Sequence, residues 1–193
     1  KIQMDKQSKQ VSLMDLKGVK FEQSYRLTSP LNVSSTYASG DFERLHPSTV
    51  YKLTNSEENK LGLPMPSGVV RFYDKDGSGE LQFIGAADMA QLAKGEKAEL
   101  AIGEAFDIYA DGKITAQNKL SEKMAENEVS VTFHNAKGRD AAVEFVQTFY
   151  YQTEIVSESL PSDRSKARTF KWLVNVPAGG ETTLTYKVRV TYN

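Results

Sequence analysis

From Thr183 to Tyr192 polar and apolar side chains alternate without a break. Leu184, Tyr186, Val188, Val190 and Tyr192 take every second place, with Thr183, Thr185, Lys187, Arg189 and Thr191 between them. A period of two over this length puts one set on a buried face and the other in water, as in a half-buried β-strand. On a helix the same apolar groups would scatter around the circumference. The preceding segment behaves alike: Phe170, Trp172, Val174 and Val176 share one face, and Lys171 and Asn175 lie on the other. Between the two, Pro177-Ala178-Gly179-Gly180 permits a reversal, so the pair predicts a hairpin. Val129, Val131 and Phe133, alternating with Ser130, Thr132 and His134, predict a third strand. Asn135-Ala136-Lys137-Gly138 supplies the next turn, and Ala141 to Tyr151 returns as a fourth strand, β-branched and aromatic.

These patterns predict an all-β, mainly antiparallel fold, a β-sandwich with at most one or two short helices. Residues 126–193 read as an immunoglobulin-like sandwich part. Residues 1–125 read as a less regular β-rich part, the two forming one compact unit. In that first part strands are expected at Val19 to Thr28, Val50 to Asn55, Val69 to Tyr73, Leu81 to Gly85 and Ala98 to Tyr109. Two segments are rich in helix formers. Asp88 to Lys94 allows one helical turn before Gly95. In Ile114 to Glu128 the apolar residues Ile114, Leu120 and Met124 are too sparse to separate helix from strand, and both stay open. Ser34-Ser35-Thr36 with Ser39-Gly40-Asp41 reads as a surface loop.

Composition narrows the function classes. The 193 residues carry 24 Lys and Arg against 25 Asp and Glu, so no global field favours nucleic acid or an anionic membrane. Cysteine is absent, which removes zinc-thiolate sites, thiol nucleophiles and disulfides together. No apolar run approaches the ~18 residues of a membrane helix, so no membrane insertion by this segment is expected. At this length folding hides roughly 70% of the unfolded chain's surface, and no staple is required. The chain opens with Lys1 and reads as a mature or trimmed fragment whose targeting segment lies outside it.

Around residue 55 a more specific pattern begins. Pro64 and Pro66 push Leu63 and Met65 into extended geometry and cannot donate to a sheet ladder, while Gly62 and Gly68 permit positive φ on either side. The physical expectation is a stiff crossing between strands, with Val69 onward entering a sheet. As a proline ligand for an SH3-like partner the pair fails, because one residue separates the prolines and not two. The run Asn55-Ser56-Glu57-Glu58-Asn59-Lys60-Leu61-Gly62-Leu63-Pro64-Met65-Pro66-Ser67-Gly68-Val69-Val70-Arg71-Phe72-Tyr73 resembles the domain-of-unknown-function family that forms the C-terminal part of mucoidy-inhibitor-like bacterial proteins. Phe83-Ile84-Gly85, Lys94-Gly95-Glu96 and Gly103-Glu104-Ala105-Phe106-Asp107 continue the likeness. Ala86 and Gln91-Leu92-Ala93 depart from it, where the family pattern has an acidic residue and a His-Thr-Pro-like segment. The resemblance implies a β fold and a bacterial cell-envelope setting, periplasmic or secreted. It brings no catalytic residue and no cofactor.

Sites that carry chemistry are thinly represented. Asp74-Lys75-Asp76-Gly77-Ser78-Gly79-Glu80 opens like an EF-hand loop, but Gly85 stands where the bidentate Glu is required, so a solvated hairpin tip is the better reading. His46 and His134 lack metal-ligand spacing and a Gly-x-Ser-x-Gly elbow is missing, so both read as structural or surface histidines. Carboxylate pairs such as Glu57/Glu58 and Asp107/Asp111 serve glycoside hydrolysis only if held ~5 to 9 Å apart beside a sugar cleft, and among 25 acidic residues some pair meets that distance by chance, so they carry little weight. Gly77-Ser78-Gly79 lacks the Lys and helix of a phosphate loop. Trp172 reads as core; in Phe149-Tyr150-Tyr151 neighbours point to opposite faces, which makes Tyr150 the better candidate for an exposed binding ring. No catalytic, cofactor or metal residue is assigned. The biochemical function expected is that of a non-catalytic structural or protein-interaction module, whose partner is another protein or a second copy. A carbohydrate- or surface-polysaccharide-binding module is the alternative.

Overall fold

The alternation at the C-terminus is realised as a strand with Leu184, Val188 and Val190 fully buried and Tyr186 nearly so. The computed structural model describes residues 18–34, 40–75 and 78–192. Within them run thirteen strands: β1 (Glu22–Thr28), β2 (Asp41–Leu45), β3 (Ser48–Thr54), β4 (Gly68–Lys75), β5 (Leu81–Met89), β6 (Lys97–Glu104), β7 (Ile108–Ser121), β8 (Met124–Asn135), β9 (Ala141–Thr148), β10 (Gln152–Glu158), β11 (Ser162–Lys166), β12 (Thr169–Val176) and β13 (Glu181–Thr191). One turn of 3-10 helix, Glu57–Asn59, is the helical element among the described residues.

The fold is an all-β sandwich. One sheet has the order β11-β12-β9-β1-β3-β6 and the other β10-β13-β8-β7-β2; β4 and β5 form a separate two-stranded ribbon. Among the described residues every strand pairing is antiparallel except β1 with β9, where Tyr25 lies opposite Val143. Both sheets draw strands from either side of residue 125. The hairpin expected of β12 and β13 does not form: Pro177-Ala178-Gly179-Gly180 carries the chain from one sheet to the other, where β12 pairs with β9 and β13 with β8. Side chains from the two inner faces interlock: Phe133 meets Phe145 edge-on at 5.7 Å, and Trp172 stacks on Tyr186 at 4.6 Å. Gln147 is buried among them with its amide satisfied. It donates to the carbonyls of Leu31 (3.1 Å) and Thr148 (3.0 Å) and accepts from the Tyr186 hydroxyl at 3.1 Å. Burial pushes the Tyr186 phenol far above its ordinary range, so it acts as a donor.

Residues 114–128 are not helical. They form the distal half of the β7–β8 hairpin, closed by a two-residue turn with Ser121 opposite Met124. Burial along β8 alternates without fault, but its first inward positions are Ala125 and Asn127. A small and a polar residue there hide the period of two, and helix propensity of a few tenths of a kcal/mol per residue loses to sheet packing. Ala98 to Tyr109 is two strands, because the chain reverses at Ala105-Phe106-Asp107 and crosses between sheets. The Ala105 amide bonds the Pro47 carbonyl at 2.9 Å, which fixes that corner. Asp88 to Lys94 holds no helical turn; β5 ends at Met89, and Leu92 bridges Met65. Ser34 is buried, not on the surface, whereas residues 35–39 lie outside the described segments.

The proline-rich crossing is organised by Asn55, which is fully buried. Its Nδ2 donates to the carbonyls of Leu63 (2.8 Å), Ala93 (3.0 Å) and Leu92 (3.2 Å), and its Oδ1 accepts from the Gly62 amide at 2.8 Å. Gly62 sits at φ +104°, and a Cβ there would meet Glu57 Cγ at 2.8 Å, so a glycine is required. Gly68 needs no positive φ and opens β4.

Candidate functional site

Large apolar side chains left in water concentrate on the β4–β5 ribbon and its approach. Leu63, Val69, Tyr73, Leu81, Phe83 and Ile84 are all exposed, Leu81 at 65%. Alternation along β4 explains half of this. Val70 and Phe72 turn toward the body, where Phe72 stacks on Tyr51 at 4.6 Å, and Val69, Arg71 and Tyr73 turn away. In β5 four consecutive residues, Leu81 to Ile84, are exposed, so both faces are wet near the tip. Tyr73 and Phe83 pack against each other across the ribbon at 5.6 Å. Midway along its length the ribbon is clamped to β6: a Cβ on Gly85 would stand 2.5 Å from the Ile102 carbonyl oxygen. The approach is so close that only hydrogen fits. Among the described residues β4 pairs with β5 alone, so its other edge has no strand beside it.

The two histidines and the candidate carboxylates Glu57, Asp107 and Asp111 take structural partners. His46 Nδ1 lies 2.9 Å from the Ile108 carbonyl and 3.1 Å from that of Ala105, which makes this nitrogen the donor and the ring a clamp on the sheet-crossing corner. His134 stacks on Tyr109 at 4.6 Å, with Asp111 3.0 Å from Nε2 and Glu181 3.3 Å from Nδ1. Those carboxylates come from β7 and β13, so no sequence spacing could announce them. No group of three or more metal-ligating side chains forms among the described residues. Asp107 faces Lys137 at 3.2 Å, and Glu57 faces Lys94 at 2.6 Å, whose hydrogen bond and charge hold the Glu57 carboxyl below its usual range. Asp107 and Asp111 thus each face a basic group, not a sugar cleft. Asp76 and Gly77 of the EF-hand-like run lie outside the described residues; Lys75 pairs with Leu81, as a hairpin requires.

A second exposed region lies where the edge strands β10 and β11 come together. Phe149 is buried against Phe170 at 4.8 Å, which turns Tyr150 outward to 71% exposure and leaves Tyr151 41% exposed. The two tyrosines line a groove of about 450 Å³ with Arg164, Lys166 and Arg168. Trp172 is core, as its face assignment requires; its indole N–H donates to Glu158 at 2.9 Å.

No family model and no curated protein matches the chain. Among solved structures, the NMR structure of the LppM folded domain of Mycobacterium tuberculosis matches over 95% of this chain and 96% of that one, at 12% identity. Its TM-score of 0.24 carries no argument about fold or function. These comparisons do not show the mucoidy-inhibitor-like family, so the resemblance rests on the run from Asn55 to Tyr73 and the shorter pieces that follow it.

Proposed function

We propose that the chain is a non-catalytic β-sandwich module of a bacterial envelope or secreted protein, and that it docks an extended segment of a protein partner on the β4–β5 ribbon. The observation carrying this reading is the row of exposed apolar side chains from Val69 to Ile84, set on a clamped ribbon with an open strand edge. An exposed edge recognises a partner strand through main-chain hydrogen bonds, and alternate side chains supply specificity. Val69, Tyr73 and Phe83 offer that apolar row, and covering it removes a surface otherwise prone to uncontrolled pairing. The envelope setting rests on the family resemblance of residues 55–73.

A photo-crosslinking residue placed at Phe83 tests this in the producing cells. The expected result is a protein adduct that is lost when Leu81→Glu is added and does not form from the same residue at Leu173, exposed on β12. Equal adduct formation at Phe83 and Leu173, or none at Phe83, contradicts the proposal.

A further inference from the structure

The groove between β10 and β11 combines three properties that independent parts of the chain supply. Its rings come from the β9–β10 connection, and their positions are fixed by their neighbours. The Tyr150 amide donates to Ser34 Oγ at 3.0 Å, the Tyr151 ring packs edge-on against Tyr192 at 5.1 Å, and Thr153 Oγ1 donates to the Tyr151 carbonyl at 3.0 Å. Its charges come from β11 and the turn into β12. Arg168 holds that turn at φ +61°, and its carbonyl accepts from the Phe149 amide at 2.8 Å, which ties the basic turn to the aromatic one. Arg164 stands 3.7 Å from Glu158, whose other oxygen receives the Trp172 indole, so the core anchors the groove wall. The third property is its lining: three cations, two tyrosines and hydrogen-bonding Thr153 and Gln152, with no acidic side chain. Arg164 shares its charge with Glu158, so the groove's positive charge comes chiefly from Lys166 and Arg168.

We infer that this groove binds an acidic saccharide, a pyranose unit carrying a carboxylate or sulfate. A flat ring such as Tyr150 covers the apolar C–H face of a pyranose, while guanidinium and ammonium groups at its edge meet the anionic substituent. The volume falls in the range of sites that hold small ligands. An open groove with tyrosines on its wall, and Ala167 as the one aliphatic residue of its lining, favours a glycan over a lipid surface. The site is separate from the β4–β5 ribbon and does not depend on the ribbon's role.

The test titrates the chain with a hexameric oligouronate, with neutral maltohexaose and with vesicles containing anionic phospholipid, following binding by calorimetry and by the amide shifts of Tyr150 and Thr153. The oligouronate is expected to bind at least about tenfold more tightly than maltohexaose, and more weakly as salt rises. Tyr150→Ala and Lys166→Glu are each expected to weaken it by about tenfold or more, with the circular dichroism spectrum unchanged. Both side chains lie at the groove surface, and the amide shifts report the site even if one variant loses stability. No binding of oligouronate, binding that neither variant weakens, or equal binding of the neutral sugar overturns the inference. Vesicle binding without oligouronate binding overturns it in favour of a membrane surface.

Discussion

Replacing Asn55 by Ala tests how the proline-rich crossing is held, and its cost can be worked from the hydrogen bonds. Of the four groups that Asn55 serves, two have other partners. The Leu92 carbonyl also accepts from the Met65 amide at 2.9 Å, and the Ala93 carbonyl from the Glu96 amide at 3.1 Å. The Gly62 amide and the Leu63 carbonyl depend on the Asn55 side chain. Both bonds are only part-buried, so water can replace the lost partner and each costs about 0.5–1.5 kcal/mol; Asn55→Ala is therefore expected to destabilise the crossing by about 1–3 kcal/mol. The loss should be local. Amide exchange at Gly62, Met65 and Leu92 is expected to rise by at least about 5-fold, which corresponds to the lower figure. Trp172 fluorescence reports the sandwich core and should show a smaller shift in the denaturation midpoint. Asn55→Asp sharpens the test. It keeps the acceptor for Gly62 but points a carboxylate at three carbonyls in a buried site, which raises its folded-state pKa. A raised folded pKa makes the protonated form the favoured one, so this variant regains stability as pH falls from 7 toward about 4. An Asn55→Ala protein with unchanged exchange at Gly62, or an Asn55→Asp protein whose deficit does not shrink in acid, refutes the account of the crossing.

Three further outcomes follow from single contacts. Gly85→Ala puts a methyl 2.5 Å from the Ile102 carbonyl and is expected to lift the ribbon from β6 at a cost of about 1–3 kcal/mol, read as faster exchange in β5 with β8 and β13 unchanged. Glu99 is half exposed; burial acts to raise its pKa, but the hydrogen bond and charge of Arg26, 2.6 Å away, win and hold it below the usual range. Its contribution is therefore full above the unfolded carboxylate value and is lost as pH falls through the folded one. Glu99→Gln should cost no more than about 1 kcal/mol at pH 7, a difference that closes below about pH 4 in denaturant titrations. Trp172→Phe removes the indole donor from Glu158 and leaves a cavity, with an expected loss of about 2–4 kcal/mol by circular dichroism. Combined with Glu158→Ala it should cost less than the two single losses added together, since each change removes the same indole–carboxylate bond.

The legible parts of the fold are those in which large apolar residues fill every inward position. β12 and β13 qualify as strands, since Phe170, Trp172, Val174, Val176, Leu184, Tyr186, Val188 and Val190 are all buried, but their partners were not legible, because a turn between two strands looks the same whether it closes a hairpin or crosses between sheets. β8 does not qualify, because Asn127 occupies an inward place and is held by donating to the Val33 carbonyl at 2.7 Å, a partner 94 residues away. The edge strand β11, Ser-Asp-Arg-Ser-Lys, contains no apolar residue, and its charges read as a solvated loop. The parallel pairing of β1 with β9 depends on contacts more than a hundred residues apart and leaves no local mark. The same contrast holds at the exposed surfaces. Tyr150 was legible because Phe149 and Tyr151 flank it and parity turns it outward. Arg164, Lys166 and Arg168 join it only through the docking of two turns, which no spacing encodes. On the ribbon the sign was present: Leu81, Phe83 and Ile84 place apolar groups on both faces of a strand, which a half-buried sheet edge has no reason to do.

Carbene footprinting of the chain in its producing cells, set against the purified protein, measures the docking claim without naming the partner. In purified protein Leu81, Phe83, Ile84 and Leu173 should all label, since all four are exposed. In cells the first three should be protected and Leu173 unchanged. Equal labelling of the ribbon in both states contradicts the claim that a protein partner covers it.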